Sequence, residues 1–320
     1  MTSTPTETTL DETRRPAPRP GPGRTPSRRR ARLSVPGFTG RMMSPGLLLL
    51  AAVSLLPLAA VIAMSFSSVH LLGGLRLESA GTENWARLFS DPDMAWAWVR
   101  TAMYFVLTVG GEMLLGTVLA VCLWRLRGGR NAALSLLLLP MFMAPVIVGL
   151  LGRFLTDSTF GLYTWLLRQV GHTGDIMADK TTAFAAVTLM DIWEWTPLVA
   201  LIALAGLTSV PSSVLEAASL DGAGLPRILR YIVLPSIAPV LLVALLIRSM
   251  DALRYFDIIW NTTGGGPADA TMTASVRLYE TAFRFFDFGY AAVTGLLMLA
   301  VTTVVARYFV RLLERKEPAR

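Results

Sequence analysis

The chain has 320 residues, of which 53% are apolar and only 16% charged, against roughly 25% charged in an average soluble domain. A mean hydropathy of +0.53 excludes a soluble globular enzyme as the first reading. The formal charge of +7 invites a nucleic-acid reading, but nine of the Arg stand before residue 42, and charge gathered in one tail is first a topological or surface signal.

Residues 1–41 are rich in Pro, Gly, Ser and Arg. Such a composition cannot bury a core, so a disordered basic tail is predicted there. It either sets topology or touches anionic lipid; a cleaved signal peptide fits less well, because the apolar stretch that follows is nearly a full span. The first run long enough to cross about 30 Å of hydrocarbon is Ser44–Met64. The second, Val99–Trp124, carries Glu112 at mid-depth beside Gly110 and Gly111, which reads as a helix–helix contact before a ligand. The third runs over Ala132–Leu155 and the fourth over Ala183–Gly206. On the fourth, Asp191, Trp193, Glu194 and Trp195 cluster on adjacent turns just before Pro197. Aromatic rings beside carboxylates suit the apolar faces and hydroxyl rims of a sugar, although Trp also serves as a plain interfacial anchor.

The segment 207–235 follows. Ser213-Val214-Leu215-Glu216 is a capping-box pattern and predicts a short helix from Val214. Asp221-Gly222 breaks it, since Gly accepts the left-handed conformation of a helix end. Pro226 suits the first turn of a second short helix running toward Pro235. Leu215, Ile228, Leu229 and Ile232 are available for burial.

The fifth span, Ser236–Ile259, holds Arg248 and Asp251, spaced to pair on one face. Ionisable groups at this depth are functional candidates by default; a buried structural pair and direct solute contact are both open. Arg254 and Asp257 repeat the spacing, but helical geometry turns Arg248 and Asp257 to opposite sides. Gly264, Gly265, Gly266 and Pro267 form a Gly-rich outer loop, read as flexible. The sixth span is Phe288–Val310, and residues 313–320 form a second tail. These runs predict helices, because backbone amides in lipid need internal partners.

Basic residues orient them. With residues 1–43 in the cytosol, that side carries nine in the leading tail, three in 125–131, two in 207–235 and four in 311–320, against six in the opposite loops. Both termini are therefore expected in the cytosol, with the 207–235 loop.

Glu216-Ala217-Ala218, then Asp221-Gly222-Ala223, then Ile232, Leu234 and Pro235 resemble the EAA loop of binding-protein-dependent ABC importer permeases. A second block, Arg248 to Asp257 with Thr263-Gly264-Gly265-Gly266-Pro267 and Thr271, is similar to the carbohydrate-uptake branch. Within that branch it most resembles the first permease subunit of maltose, polyol and glycerol-phosphate type systems. Asp191 to Pro197 and Phe288-Gly289-Tyr290-Ala291 fit the same group. The likeness covers roughly residues 40–310; Pro226 and Leu229 depart from the usual residues of the loop's second helix.

The resemblance implies an all-α integral membrane protein with six transmembrane helices in the MetI-like permease fold, its membrane domain spanning 42–312 of a multi-pass protein of the bacterial cell membrane. It implies a sister permease, hence a heterodimer, two ATP-binding subunits, an extracytoplasmic solute-binding protein and surrounding membrane lipid. Glu216, Ala217, Ala218, Asp221, Gly222, Ala223, Leu234 and Pro235 would couple to the ATPase, and Gly264 to Pro267 would lie near the docking face of the binding protein. The sequence holds no GxxxxGK[ST] loop: its two Lys follow Asp179 and Arg315, so ATP and Mg belong on the partner. No cofactor, metal or nucleic acid is expected on this chain, and no enzyme activity of its own. A glycerol-phosphate or other non-sugar solute is the alternative. A self-contained secondary transporter would need matched internal repeats, which are not found, and an intramembrane hydrolase a nucleophile and base at one depth.

Overall fold

The computed structural model describes residues 37–70, 76–126, 128–171 and 174–316. The predicted tail therefore lies outside the described residues up to 36, as do residues 317–320 of the trailing one. The chain divides between Val53 and Ser54. The leading part, as described, is the first half of α1 (Gly37–Ser65), so helix begins five residues before the expected tail boundary. Its Leu47, Leu48, Leu49 and Leu50 are all exposed, as suits a face toward lipid.

The main part opens with the second half of α1. A two-stranded antiparallel hairpin follows, β1 (Ser67–His70) and β2 (Arg76–Ser79), with Ser67 opposite Ser79. Then come α2 (Glu83–Ser90) and α3 (Pro92–Arg125), the latter capped by Asp91, whose side chain accepts from the amides of Asp93 and Met94. The chain continues through α4 (Arg130–Leu138), α5 (Pro145–Leu155), α6 (Leu162–Gln169) and α7 (Lys180–Thr208). It closes with α8 (Ser212–Leu220), α9 (Leu225–Ile228), α10 (Leu234–Ala252), α11 (Asp257–Thr262), α12 (Ala274–Phe283) and α13 (Phe288–Lys316).

Among the described residues five helices are long and apolar enough to cross a membrane: Met42–Ser65, Pro92–Arg125, Lys180–Thr208, Leu225–Ala252 and Phe288–Arg315. The expected third span is broken. α4 gives way to a 3-10 turn at Pro140–Phe142 and helix resumes only at Pro145. Ala144, extended at φ −72° and ψ 136°, obeys the steric bar against α geometry in the residue before proline. The fifth span also differs. It begins at Leu225, passes without a break through a π-helical turn at Leu229–Val233 and stops at Ala252, seven residues short of the expected end. Just past the stop, the Tyr255 carbonyl accepts from the Ser275 hydroxyl at 2.5 Å in place of a helical amide.

The main packing seam runs between α3 and α7. Small residues let the backbones approach, as they do where lipid offers no hydrophobic drive between helices. Gly116 stands so close to Val199 and Ala200 that a Cβ there would lie 2.7 Å from the Val199 Cβ. Around the ends of α3 and α7 nearest α8, an apolar cluster gathers Ala120, Leu123, Ala203, Leu204 and Leu207 with Ala218, Ile228, Val233 and Ile237. The α8–α9 loop is thereby seated on the bundle. At the other end, α2 and the cap of α3 are tied to the start of α13: Arg87 bonds Asp287 at 2.6 Å and Tyr290 donates to Asp91 at 2.7 Å.

Candidate functional site

Two places concentrate chemistry, one within the bundle and one at its edge. Within it, Arg248 on α10 is fully buried, as are Glu112 on α3 and Asp191 on α7. The guanidinium donates through Nε to Glu112 Oε2 at 2.5 Å and through Nη2 to Glu112 Oε1 at 2.7 Å. Nη2 also reaches Asp191 Oδ2 at 3.2 Å, and Nη1 reaches Asp251 Oδ2 at 2.8 Å. The planar fork of an Arg, with donors in several directions, is what allows one cation to serve three carboxylates. Each of three spans contributes a member, so the network fixes α3, α7 and α10 against one another.

Exposure falls off inward. The Asp251 side chain is 31% exposed, and Arg254, which pairs with Asp251 at 3.6 Å, is 70% exposed. The sequence offered Asp257 as the partner of Arg254; the break after Ala252 removes the helical spacing and Asp251 takes that place. Trp195, half-buried, has the Arg248 guanidinium 4.8 Å from its ring centroid, within cation–π range. Its indole N–H points to the Tyr255 hydroxyl at 3.4 Å, which in turn donates to Glu194 Oε2 at 3.0 Å. Tyr104 stacks on Tyr255 with centroids 6.2 Å apart.

Of the pathway residues read from the sequence, Asp191, Glu194, Trp195, Arg248 and Asp251 are thus brought together. Trp193 is not. It is 49% exposed and lines an apolar groove with Tyr163, Leu166 and Leu189, on another face of α7. Tyr104 and Tyr255 were not singled out from the sequence. The signal available for Tyr255 was its place seven residues after Arg248, two helical turns along, although the helix itself does not extend that far.

At the edge, α8 begins at Ser212 with Pro211 as its N-cap and no side-chain capping bond. The expected capping box is therefore not formed: Pro211 fixes the entry, so Ser213 falls inside the helix. Gly222 does end the helix, at φ +75°, and its amide bonds the Ser219 carbonyl at 3.1 Å. Pro226 takes the first turn of α9, but this helix runs on into the fifth span instead of ending near Pro235. Glu216, Ala217, Asp221, Gly222, Leu234 and Pro235 are exposed, Ala223 is half-buried and Ala218 is buried against the bundle. Leu220, 89% exposed, and Tyr231, 67% exposed, add a large apolar contribution that the motif did not reveal. The outward face of the loop thus combines small and apolar residues with the carboxylates Glu216 and Asp221 and the exposed guanidinium groups Arg227 and Arg230.

The Gly-rich segment is more tightly held than the sequence suggested. Gly264 and Gly265 have positive φ, where Gly is strain-free. The Thr263 and Thr271 hydroxyls meet at 2.6 Å, and Thr271 donates to the Gly266 carbonyl at 2.9 Å. Gly265 is buried, with Met272 where a Cβ would stand. Gly266 and Pro267 line a polar cleft with Trp260 and Asn261.

Residues 112–317 match the family described as binding-protein-dependent transport system inner membrane component. The sulfoquinovosyl glycerol transport system permease protein SmoG of Agrobacterium fabrum is 32% identical over 278 residues, covering 86% of this chain and 90% of that protein. The trehalose/maltose transport system permease protein MalF of Thermococcus litoralis is 33% identical over 65% of this chain and 70% of its own length. The sn-glycerol-3-phosphate transport system permease protein UgpA of Yersinia pestis is 30% identical over 76% and 83%. Among solved structures, a bacterial ABC transporter involved in the import of the acidic polysaccharide alginate matches 88% of this chain with a TM-score of 0.76 at 19% identity, which speaks for the fold. The family match spans well over half of the chain, and the chain is an inner-membrane component of a binding-protein-dependent transport system.

Proposed function

We propose that this chain is the permease subunit of an ATP-driven importer for a carbohydrate-type solute, forming half of the translocation pathway and coupling through the α8–α9 loop to a separate ATPase. The observation that carries the solute class is the agreement among relatives: one is named for a sulfoquinovosyl glycerol, one for trehalose and maltose, one for sn-glycerol 3-phosphate. All three solutes are polyhydroxylated. A glycerol phosphate is the second reading, favoured by the last of these relatives.

The remaining parts follow from the same reading. A sister permease completes the pathway as a heterodimer, and two ATP-binding subunits hold ATP and Mg. Glu216, Ala217, Asp221 and Gly222 seat in a cleft of the ATPase, where small residues permit close backbone approach and Leu220 supplies apolar contact. Closure of the ATPase pair then rocks the spans between inward- and outward-open states. Trp195, Asp251 and Arg254, the open edge of the buried network, are the side chains placed to meet solute, and Glu112, Asp191 and Arg248 hold them in position. Gly264 to Pro267 face the binding protein, and the Arg-rich leading tail stays in the cytosol beside lipid.

A thermal-shift screen of the cognate binding protein tests the solute class. Stabilisation by a mono- or oligosaccharide, a polyol or a glycerol phosphate is expected. Stabilisation by an amino acid or peptide alone would overturn it.

A further inference from the structure

A polar cleft of about 670 Å³ opens between the end of α5, the segment leading into α7, and the α11–glycine loop. Its volume lies within the roughly 300–1,000 Å³ of small-molecule sites. Asp175 borders it just before α7 begins, and α8 follows where α7 ends. The cleft and the α8–α9 loop therefore lie at opposite ends of one 29-residue helix.

The walls are fixed from within. Asp157 Oδ1 accepts from the amides of Thr159 and Phe160 at 2.8 and 3.3 Å, and Arg168 donates to the Ser158 carbonyl at 2.6 Å. Thr262 ties α11 to α5 through the Gly149 carbonyl at 3.1 Å. Trp260 is braced by Phe256 and Tyr279, whose ring centroids lie 5.7 and 4.6 Å away. The site is thus preformed, which spares a ligand the cost of ordering it.

What the cleft presents is specific. Arg284 is engaged by Glu280 at 2.8 Å, whereas the Arg153 guanidinium is exposed and makes no hydrogen bond or ion pair among the described residues. Asp157 and Asp175 each spend one carboxylate oxygen on local amides, leaving the other as an acceptor. Asn261 gives its amide N–H to the Asp257 carbonyl at 2.8 Å, so its oxygen is available. A guanidinium fork for paired oxygens, acceptors for hydroxyls and a half-buried indole make the pattern that a polyhydroxylated ring satisfies.

We propose that this cleft is a solute subsite at the mouth of the pathway, taking a pyranose ring or a glycerol phosphate before it reaches the Arg248 network. It rests on the solute class proposed above and adds a site to it. Arg153 donates to vicinal hydroxyls or to a phosphate, Asp157 and Asp175 accept from hydroxyls, and Trp260, whose ring already carries Phe256 and the Arg284 guanidinium, borders the sugar with its edge. On the cleft wall the Thr262 hydroxyl lies 3.9 Å from the sulfur of Met190, which precedes Asp191 on α7.

The test uses the assembled transporter in nanodiscs without binding protein, probed by saturation-transfer difference NMR with maltose, trehalose and sn-glycerol 3-phosphate. At least one probe is expected to give signal in the wild type, weakened about tenfold by Arg153→Ala or Asp175→Asn and unchanged by Val170→Ala, an exposed residue outside the cleft. Asn at 175 keeps the oxygen that the Met177 amide needs, so this variant spares the turn. Absence of signal from all three probes, or equal signal in the variants, overturns the proposal. So does a result in which the variants weaken only stimulation of ATP hydrolysis by the binding protein, which would make the cleft a protein-docking surface. If the binding protein selects an amino acid, the solute class itself fails; if it selects a sugar that is imported while the cleft variants change nothing, the subsite alone fails.

Discussion

Arg248 and Glu112 meet edge to edge, 136 residues apart in sequence, through two parallel hydrogen bonds inside the bundle. Such a pair is weak proof of stability, because burial costs each ion its hydration, but breaking it leaves a charge uncompensated. Glu112→Ala is therefore predicted to cost about 3–5 kcal/mol. Glu112→Gln, which keeps an acceptor, costs less. The double variant Glu112→Ala with Arg248→Met should lose less than the two single losses combined, since it removes the orphaned cation. Thermal unfolding followed by size-exclusion chromatography in detergent reads wild type and the four variants, Arg248→Met alone among them. A melting point for Glu112→Ala equal to wild type would contradict the network as the tie between α3 and α10.

Gly222 separates folding from coupling. Its φ of +75° lies in the left-handed region, and nothing stands within 4 Å of where a Cβ would be. An Asp there pays about 1 kcal/mol for the backbone and no steric clash, so the protein should still insert and accumulate. What changes is the exposed surface at the end of α8, which gains a second carboxylate beside Asp221. Gly222→Asp is predicted to abolish uptake while leaving the amount in the membrane near wild type, by immunoblot and radiolabelled-solute assays. Undiminished uptake would remove this loop from the coupling machinery.

The sequence was most readable where causes are local. The Asp221-Gly222 break, the helical start at Pro226 and the Arg248–Asp251 pair three residues apart all follow from short-range chemistry, and all are present. The capping box misled because Pro211, just upstream, claims the helix start. The break within the third span was not legible because hydropathy averages over Pro140 and Pro145. Glu112 and Asp191 were visible as costly charges, yet their shared partner was not: pairing across 136 and 57 residues is decided by helix packing. Helical geometry itself parts Trp193 from Trp195: two residues apart on α7, they point about 200° away from each other.

Asp91 carries a pH dependence with a definite sign. Partial burial acts to raise its pKa, but the bonds from Tyr290 and from the amides of Met94 and Asp93, with Arg277 nearby, prevail and lower it. A carboxylate with a depressed folded pKa stabilises fully above the unfolded value, near 3.9, and loses that contribution as pH falls through the lower folded value. Asp91→Asn is thus predicted to melt below wild type at pH 7, with the gap closing as pH drops beneath about 4. Melting curves of both proteins from neutral to acidic pH check it; a gap that widens on acidification has the wrong sign.

Two glycines of α3 should respond in opposite directions to the same change. At Gly116 an added Cβ would lie 2.7 and 2.8 Å from Val199 side-chain atoms and 3.0 Å from the Ala200 backbone nitrogen. The backbone of α7 cannot swing aside as a long side chain could, so the seam must open. Gly116→Ala is predicted to destabilise by about 1–3 kcal/mol, the usual cost of overpacking. At Gly110, one residue before the contact of Gly111 with Ile192, nothing stands within 4 Å. There Ala only restricts the unfolded chain and improves the helix, a gain of about 0.5–1 kcal/mol. Paired melts in detergent should place the two variants on opposite sides of wild type. If both fall on the same side, close backbone approach is not what holds α3 to α7.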